Sequence, residues 1–166
     1  MSRIELTTPL GEEVRSLRAG DLVSLSGVVY VARDQAHRRM LEDLDRGSLP
    51  FQLEGQVIYY AGPSLTPPGR VIGAMGPTTS GRMDPFTPRL LELGLRGMIG
   101  KGRRSKEVLD AMARHGAVYL GATGGAAVLL SRSIRSCEVV AYQDLGPEAI
   151  LKITVDRMGL VVLGDA

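Results

Sequence analysis

The feature that most constrains the fold is a series of strand-length apolar runs, glycine-rich turns and helical segments between Val71 and Ile134. Each apolar run has the length of a buried strand, and the segments that follow the turns have the spacing of amphipathic helices. Strands that alternate with helices usually pair in parallel and carry the helices on the faces of the sheet. The pattern therefore predicts an α/β fold with parallel pairing.

Two helices of this region carry start signals in the sequence. Thr87 is predicted to cap a helix that has Pro88 at its first position and ends at Gly94. Ser105 is predicted to cap a second helix, which ends at His115. The other elements predicted here are strands at 71–75, 95–99 and 117–122 and a helix at 126–134.

The regions on either side are richer in strands. Apolar residues between 21 and 32 predict one or two strands, with a bulge or bend at Gly27. Asp34 is predicted to cap the helix that follows, which runs to about Arg46 and is stopped by Gly47. The remaining predictions are a strand zone at 56–61, a proline-rich loop at 62–69, and closing strands at 138–142, 150–155 and 160–163.

Length and composition fit one globular domain. With 166 residues and 44% hydrophobic content, the chain is predicted to form a single domain over residues 1–166. This domain divides into a β-rich part at 1–65, strand–turn–helix units at 70–135 and closing strands at 137–164. The expected fold class is α/β, with a mixed sheet or partial barrel flanked by helices.

The charge balance and apolar pattern argue against nucleic-acid and membrane binding. The 20 basic and 18 acidic residues leave a net charge of +2, and only 4% of residues are aromatic and able to stack on bases. The longest apolar stretch, 117–130, is too short for a membrane span. Because the sequence does not begin with an apolar signal segment, we expect a cytoplasmic protein.

The single cysteine, Cys137, excludes an internal disulfide and any cluster held by several cysteines of this chain. We expect it to be a small, buried or half-buried residue. With two histidines and one cysteine, the sequence shows no Ser–His–Asp arrangement and no metal-ligand spacing.

Three turns concentrate glycine, hydroxyl groups and positive charge. They are residues 76–82 (GPTTSGR), 100–105 (GKGRRS) and 123–125 (TGG). Glycine lets backbone N–H groups approach a ligand, and arginine fits a carboxylate or phosphate with two N–H groups. In α/β folds such turns gather beyond the carboxyl ends of parallel strands, where ligands bind. The turns predict an anion site, although similar turns also occur in tight α/β packing without a ligand.

The second turn does not match a phosphate-binding P-loop. If Lys101 is taken as the lysine of that motif, its first glycine falls on Leu95. Gly102 then stands where the motif has the serine or threonine that holds magnesium. Nucleotide hydrolysis is therefore not favoured.

A further cluster lies at residues 33–39 (RDQAHRR). Arg33 follows a predicted strand, where a ligand-facing side chain is expected. His37 lies one helical turn from Asp34 and is expected to pair with it in a surface or supporting position, or to act as an acid or base. Arg38 and Arg39 are expected to face solvent.

Six segments of the chain carry a family resemblance: 31–39 (VARDQAHRR), 59–63 (YYAGP), 76–84 (GPTTSGRMD), 97–102 (GMIGKG), 124–127 (GGAA) and 141–149 (AYQDLGPEA). Together they resemble the β subunit, or C-terminal domain, of iron–sulfur-dependent class I fumarate hydratases. The similarity keeps the same order along nearly the whole chain. Tartrate dehydratase β subunits look similar, but tend to depart from the Ser-Gly-Arg-Met-Asp that stands here at 80–84.

The resemblance implies half of an enzyme. In that family a separate α subunit or N-terminal domain holds a 4Fe–4S cluster through three cysteines, and the β part is a swivelling β/β/α domain that closes over the cluster. For this chain it implies a dicarboxylate substrate, no metal of its own, and an α subunit without which there is no catalysis. It also implies self-association through β–β contacts, in a heterotetramer of two αβ pairs.

The same resemblance implies roles for single residues. Arg33, Arg82 and Lys101 match positions that bind the dicarboxylate, and Thr78 matches the position of the catalytic base. Because a free threonine hydroxyl is too weak a base at neutral pH, Thr78 needs a carboxylate from the partner to take its proton. Asp84 is expected to brace its turn through Arg82 or the backbone. The supporting positions are Asp34, His37, Thr79, Gly81, Asp84, Gly100, Gly124 and Gly125.

Three functions stay open at this point. The first is reversible hydration of fumarate to malate, and the second is dehydration of tartrate or of a methylated dicarboxylate. The third is a non-catalytic, anion-binding or regulatory module with the same fold. An α-subunit homologue encoded beside this chain would favour catalysis, and its absence would favour the module.

Overall fold

A computed structural model describes residues 3–63, 75–122 and 131–165 of the chain. In this part the strands are β1 (Ile4–Thr7), β2 (Leu22–Val31), β3 (Val57–Tyr59), β4 (Ala61–Pro63), β5 (Met75–Pro77), β6 (Gly97–Ile99), β7 (Val118–Ala122), β8 (Ile134–Ala141) and β9 (Ile150–Gly164). The α-helices are α1 (Asp34–Asp45), α2 (Thr87–Glu92) and α3 (Lys106–His115). Short 3-10 helices span Glu12–Ser16, Ser80–Met83 and Gln143–Glu148.

Five strands close into a mixed barrel. The strands β2, β3, β6 and β7 pair in parallel in that order, and β9 pairs antiparallel with both β7 and β2, which closes the ring. β1 lies beside the first half of β2, and β8 lies beside the first half of β9. The predicted α/β class, with a mixed sheet or partial barrel flanked by helices, is confirmed. The swivelling motion stays a prediction.

Two hydrophobic layers hold the barrel and the helices together. Along β3, Val57 and Tyr59 point into the barrel interior, whereas Ile58 joins the layer beneath the helices. Successive side chains of a strand point to opposite faces, so a strand covered on both faces is apolar throughout. β3 is buried at all three positions for this reason.

The ends of three parallel strands place three chain segments at one edge of the barrel. β2, β3 and β6 end at Val31, Tyr59 and Ile99, and the ladder continues one residue further. Ala32 N donates to Tyr59 O at 3.1 Å, Tyr60 N to Ile99 O at 2.8 Å, and Gly100 N to Leu120 O at 3.0 Å. We call this end of the barrel the carboxyl edge. The predicted turn at 100–105 directly follows β6, and the predicted turn at 76–82 begins within β5, which pairs antiparallel with β4. The predicted turn at 123–125 lies outside the described residues.

The helix caps follow the sequence signals only in part. Ser105 caps α3 as predicted, since its side chain accepts a hydrogen bond from Val108 N at 3.2 Å. The predicted caps at Asp34 and Thr87 are wrong, because both residues lie inside the first turn of their helices. Asp34 instead pairs with Arg82, and Thr87 Oγ1 donates to Met83 O at 2.7 Å. In both cases the polar side chain bonds to a residue outside its helix, and not to an N–H group in the first turn of that helix.

The last strand differs from its prediction. Residues 150–155 and 160–163 belong to one strand, β9, which continues through the polar Asp156 and Arg157. Arg157 has a φ of 52°, and its backbone N–H donates to Ser26 Oγ at 2.9 Å. The register shift in β2 between Leu25 and Gly27 confirms the predicted bulge. Asp156 and Arg157 therefore form an irregularity within β9, and not a turn between two strands.

Several predicted elements fall on residues outside the described ranges. These are most of the strand at 71–75, most of the loop at 62–69, and most of the helix at 126–134. Where the structure does describe them, Gly62 and Pro63 belong to β4 and Ile134 begins β8, so the predicted loop and helix are wrong at these residues. Within the described residues, no helix is long and apolar enough to cross a membrane.

Candidate active site

Two turns at the carboxyl edge are joined by backbone hydrogen bonds. We call residues 77–84 the threonine turn and residues 100–105 the lysine turn. Lys101 N donates to Thr78 O at 3.1 Å, and Ser80 N donates to Lys101 O at 2.9 Å. A parallel bridge between Thr79 and Lys101 results. The structure therefore holds two of the predicted site segments side by side.

Thr78 is fixed to the end of β3. Its backbone N–H donates to Tyr60 O at 2.7 Å, and its hydroxyl donates to the same oxygen at 3.0 Å. Because this hydrogen bond uses the hydroxyl proton, the lone pairs of Thr78 Oγ1 are left for another group. The half-buried side chain is thus held in a defined direction before any ligand binds.

Gly100 is the point where the lysine turn passes closest to the threonine turn. A Cβ atom built at Gly100 would overlap Ser80 Oγ and would lie 2.9 Å from Tyr60 Cδ2. Both neighbours are buried, so neither side chain has free space to move into. The supporting position predicted for Gly100 has a steric basis.

We expect Gly100→Ala to lower the free energy of unfolding by about 1–3 kcal/mol, as added methyl groups do in packed interiors. Gly81→Ala is the matched control, because a Cβ there would lie 3.7 Å from Arg103 O, an ordinary contact. Urea unfolding of the two variants measures the difference. Equal stabilities would contradict the crowding at Gly100.

Arg33 and His37 lie at the end of β2 and the start of α1. Arg33 is half-buried, and its Nε atom is buried without a hydrogen-bond partner among the described residues. Arg33 O accepts hydrogen bonds from His37 N at 2.9 Å and from His37 Nδ1 at 2.8 Å. His37 therefore supports the backbone of Arg33.

The surface position predicted for His37 and its pairing with Asp34 are wrong. His37 is fully buried, with its ring 5.5 Å from the ring of Tyr60 and 6.1 Å from that of Phe86. Burial lowers the pKa of His37 to about 4, so the ring is neutral at pH 7. With Nδ1 donating to Arg33 O, the unprotonated Nε2 is buried without a hydrogen-bond partner among the described residues.

Arg82 connects the threonine turn to α1. Its Nε atom lies 3.0 Å from Asp34 Oδ2, and 53% of its side chain is exposed. Exposed ion pairs of this kind contribute roughly 0–1 kcal/mol to stability, so Arg82 can exchange this partner for a ligand at little cost. Since Asp34 follows Arg33 in the chain, the pair brings Arg82 to the same region of the carboxyl edge.

The predicted brace between Asp84 and Arg82 is wrong. Asp84 Oδ1 instead accepts from Arg104 Nε at 2.7 Å, and Asp84 Oδ2 accepts from Ser105 N at 2.7 Å. The bond from Ser105 N is a backbone contact, which was the other predicted partner, but its donor lies in the lysine turn. Arg104 was not predicted to have a role, because nothing local distinguishes it from the exposed Arg103 beside it.

The predicted site residues divide into two groups. Those that the structure describes lie in the threonine turn, the lysine turn or the start of α1. The exposed side chain of Lys101 makes no ion pair with a described residue. Gly124 and Gly125 follow β7 in the chain but lie outside the described residues. The edge thus combines three cationic side chains, of Arg33, Arg82 and Lys101, with the hydroxyl of Thr78.

The residues of this chain do not fit an iron–sulfur cluster. A 4Fe–4S cluster is held by several cysteine thiolates, and Cys137 is the only cysteine. It is half-buried on β8, where burial, followed by the charge of Glu138, raises the pKa of its thiol. Among the described residues, no three His, Cys, Asp or Glu side chains are grouped to hold a metal ion.

Comparisons with known proteins show that this chain is similar to class I fumarate hydratases and to a tartrate dehydratase subunit. A family model described as "Fumarase C-terminus" matches residues 1–166. The chain is 43% identical to the aerobic class I fumarate hydratase of Salmonella typhimurium, over 98% of this chain and 29% of that protein. It is 40% identical to the mitochondrial fumarate hydratase 1 of Leishmania major, over 98% of this chain and 31% of that protein. It therefore spans less than a third of these two hydratases.

A further relative is of similar length. The chain is 38% identical to a putative L(+)-tartrate dehydratase subunit beta of Methanocaldococcus jannaschii. This match covers 93% of the present chain and 83% of that subunit.

Proposed function

Since this chain belongs to the Fumarase C-terminus family, we propose that it is the β subunit of a hydro-lyase that interconverts fumarate and (S)-malate. The observation that carries the proposal is the arrangement at the carboxyl edge. There the threonine turn, which carries the hydroxyl of Thr78, is hydrogen-bonded to the lysine turn with Lys101. Arg82 of the threonine turn pairs with Asp34, the residue after Arg33. A dianionic substrate and a proton transfer require these two kinds of group.

The three cations bind the carboxylates of the substrate. Arg33 offers a buried N–H group that no described residue uses, and Lys101 offers an exposed ammonium. Arg82 reaches the substrate by exchanging Asp34 for a substrate carboxylate. Charge-assisted hydrogen bonds of this kind are about twice as strong as neutral ones, which favours a dicarboxylate over an uncharged alkene.

Thr78 moves the proton at C3 of malate. In the free chain its hydroxyl proton is held by Tyr60 O, a carbonyl that accepts a hydrogen bond but not a proton. Thr78 therefore becomes a base only when a carboxylate of the α subunit takes that proton and the nearby cations stabilise the alkoxide. Orientation of the hydroxyl by the turn lowers the cost of reaching the reactive geometry.

The α subunit is proposed to hold the 4Fe–4S cluster, because this chain lacks the cysteines for it. The carboxyl edge is then the surface that faces the α subunit. We further propose a cytoplasmic heterotetramer of two αβ pairs, with contacts between the β chains. These proposals follow from the family resemblance and from the cationic site, which is incomplete without a group that activates the substrate hydroxyl.

A tartrate dehydratase is the second candidate. It is favoured by the relative named as a putative L(+)-tartrate dehydratase subunit beta, 83% of which this chain covers. Malate and tartrate differ by one hydroxyl group at C3, so the same cations would bind the carboxylates of both. The distinction therefore lies in the groups around C3.

Co-expression with an α-subunit homologue of the same genome tests the function. After anaerobic purification, we expect the αβ complex to dehydrate malate. The chain expressed alone is expected to be folded, free of iron and inactive. Circular dichroism, iron analysis and fumarate absorbance measure these properties.

The same preparation distinguishes the two candidates. Assays on malate and on both tartrate enantiomers should give the highest kcat/KM with (S)-malate. A higher value with a tartrate would make tartrate the substrate, and dehydratase activity of the chain alone would refute the shared site.

A further inference from the structure

Arg104 is a buried cation that the proposed chemistry does not use. Its side chain is fully buried, with a relative exposure of 0%. Burying a guanidinium group is costly unless it is paired and hydrogen-bonded, so the surroundings of Arg104 must compensate for the lost water.

All three nitrogen atoms of the Arg104 guanidinium group have hydrogen-bond partners among the described residues. Nε donates to Asp84 Oδ1 at 2.7 Å, and one terminal nitrogen donates to Thr87 Oγ1 at 3.0 Å and Tyr60 OH at 3.2 Å. The other terminal nitrogen lies 3.5 Å from Met98 Sδ. These contacts occupy four of its five N–H groups, which leaves Arg104 little capacity to bind a substrate.

Two aromatic rings enclose the same group. The guanidinium carbon lies 5.1 Å from the ring centre of Tyr60 and 5.0 Å from that of Tyr119. Cations within about 6 Å of an aromatic face are attracted to it, and the planar guanidinium suits this position better than a lysine ammonium. Arg104 is thus fixed in orientation as well as in charge.

The contacts of Arg104 and Tyr119 join the two turns of the active site. Asp84 ends the threonine turn, and its second carboxylate oxygen accepts from the backbone of Ser105 at 2.7 Å. Tyr119 OH donates to Gly102 O at 2.9 Å in the lysine turn. The hydroxyl of Tyr119 has one proton, so Ser80 Oγ donates to it at 2.7 Å from the threonine turn.

These side-chain links reinforce the backbone link that carries the reactive groups. That backbone link consists of Lys101 N to Thr78 O at 3.1 Å and Ser80 N to Lys101 O at 2.9 Å. The side-chain links lie further along each turn, at Ser80 and Asp84 and at Gly102 and Arg104. Together they prevent the turns from sliding past each other, which would change the distance from Thr78 Oγ1 to the lysine ammonium.

We propose that Arg104, with Asp84 and Tyr119, is a positioning residue that sets the spacing between Thr78 and Lys101 without touching the substrate. This inference rests on the proposed function, since it assigns a role within the same site. A displacement of about 1 Å in a reactive group can cost roughly 100-fold in rate, so a loosened spacing is expected to be visible in turnover.

The test uses the αβ complex and the variants Arg104→Lys and Asp84→Asn. Arg104→Lys keeps the charge but loses the planar fork, and Asp84→Asn keeps the shape but weakens the pair. We expect kcat for malate to fall by about 10- to 100-fold in both variants. Near-UV circular dichroism and co-purification with the α subunit should be normal. Arg89→Met removes an exposed arginine that pairs with Asp45 at 2.8 Å, and it should leave kcat within twofold.

A double variant separates positioning from general stability. If Arg104 acts through Thr78, adding Arg104→Lys to Thr78→Val should lower kcat by less than about threefold further. If the two losses multiply, or if Arg104→Lys and Asp84→Asn are folded with kcat within threefold of the wild type, the positioning role is overturned.

Tyr119→Phe keeps the ring over Arg104 and removes only the hydroxyl that joins the turns, so it serves if the other variants do not fold. We expect about a fivefold lower kcat, and unchanged kcat in folded Tyr119→Phe overturns the inference. Loss of turnover in Thr78→Val with normal turnover in the three positioning variants overturns the inference alone. Undiminished turnover in Thr78→Val overturns the proposed role of Thr78, and the positioning role with it.

Discussion

Replacing Thr78 with valine in the αβ complex is expected to lower kcat for malate by about 100- to 10,000-fold, the range for loss of a general acid–base group. Valine keeps the β-branched shape and removes only the hydroxyl. Tyr60 O does not lose its last partner, because it still accepts from the backbone N–H of residue 78 at 2.7 Å. KM should change little, since the carboxylates are bound by the cations. Steady-state assays of malate dehydration measure both constants.

Thr78→Ser is the matched control for this prediction. Serine keeps a hydroxyl at the same position but lacks the methyl group that limits its rotation. We therefore expect Thr78→Ser to retain kcat within about tenfold of the wild type. If Thr78→Val turns over malate within fivefold of the wild type while remaining bound to the α subunit, Thr78 does not move the proton.

The second large effect is expected at Arg82. Arg82→Met should lower kcat/KM for malate by at least about 100-fold, the loss expected when a charged partner of a substrate carboxylate is removed. The stability of the chain should change by less than about 1 kcal/mol, because the pair with Asp34 is exposed. Assays at several malate concentrations and urea unfolding measure the two effects separately.

Arg89→Met provides a close match for this substitution. Arg89 also forms an exposed arginine–aspartate pair, at 2.8 Å with Asp45, and its side chain is 44% exposed against 53% for Arg82. Asp45 ends α1 whereas Asp34 begins it, so the two pairs lie at opposite ends of that helix. A similar loss of activity in both variants, or none in Arg82→Met, would remove Arg82 from the substrate site.

Much of the fold was predictable because its signals are local. Short apolar runs, each followed by a turn, predicted the parallel strands. Serine is a favoured helix cap, so Ser105 predicted the start of α3, and its side chain does accept a hydrogen bond from Val108 N. The place of the lysine turn was predictable for the same reason, because it follows β6, a strand with parallel neighbours. The threonine turn instead follows β5, which pairs antiparallel with β4, and tertiary contacts such as that of Thr78 N with Tyr60 O hold it at the edge. Thr78 and Lys101 are joined there by a direct backbone hydrogen bond.

Other features depend on partners that are distant in the sequence. Asp34 has the composition of a helix cap, but it lies inside the first turn of α1 and pairs with Arg82, 48 residues further along the chain. His37 has the spacing of a surface residue paired with Asp34, yet the packing of Tyr60 and Phe86 buries it. Local rules cannot anticipate such outcomes, because the competing contact is formed only after the chain has folded.

The α/β class and the family could therefore be predicted from the sequence, together with the cationic and hydroxyl side chains proposed for the site. The folded chain was needed to show that Asp84 pairs with Arg104 rather than Arg82, and that Arg104 is buried while Arg103 is exposed. The physical reason is that strand periodicity and turn chemistry act over a few residues. The burial of a charge depends instead on the hydrogen bonds and aromatic rings that several separate segments bring around it.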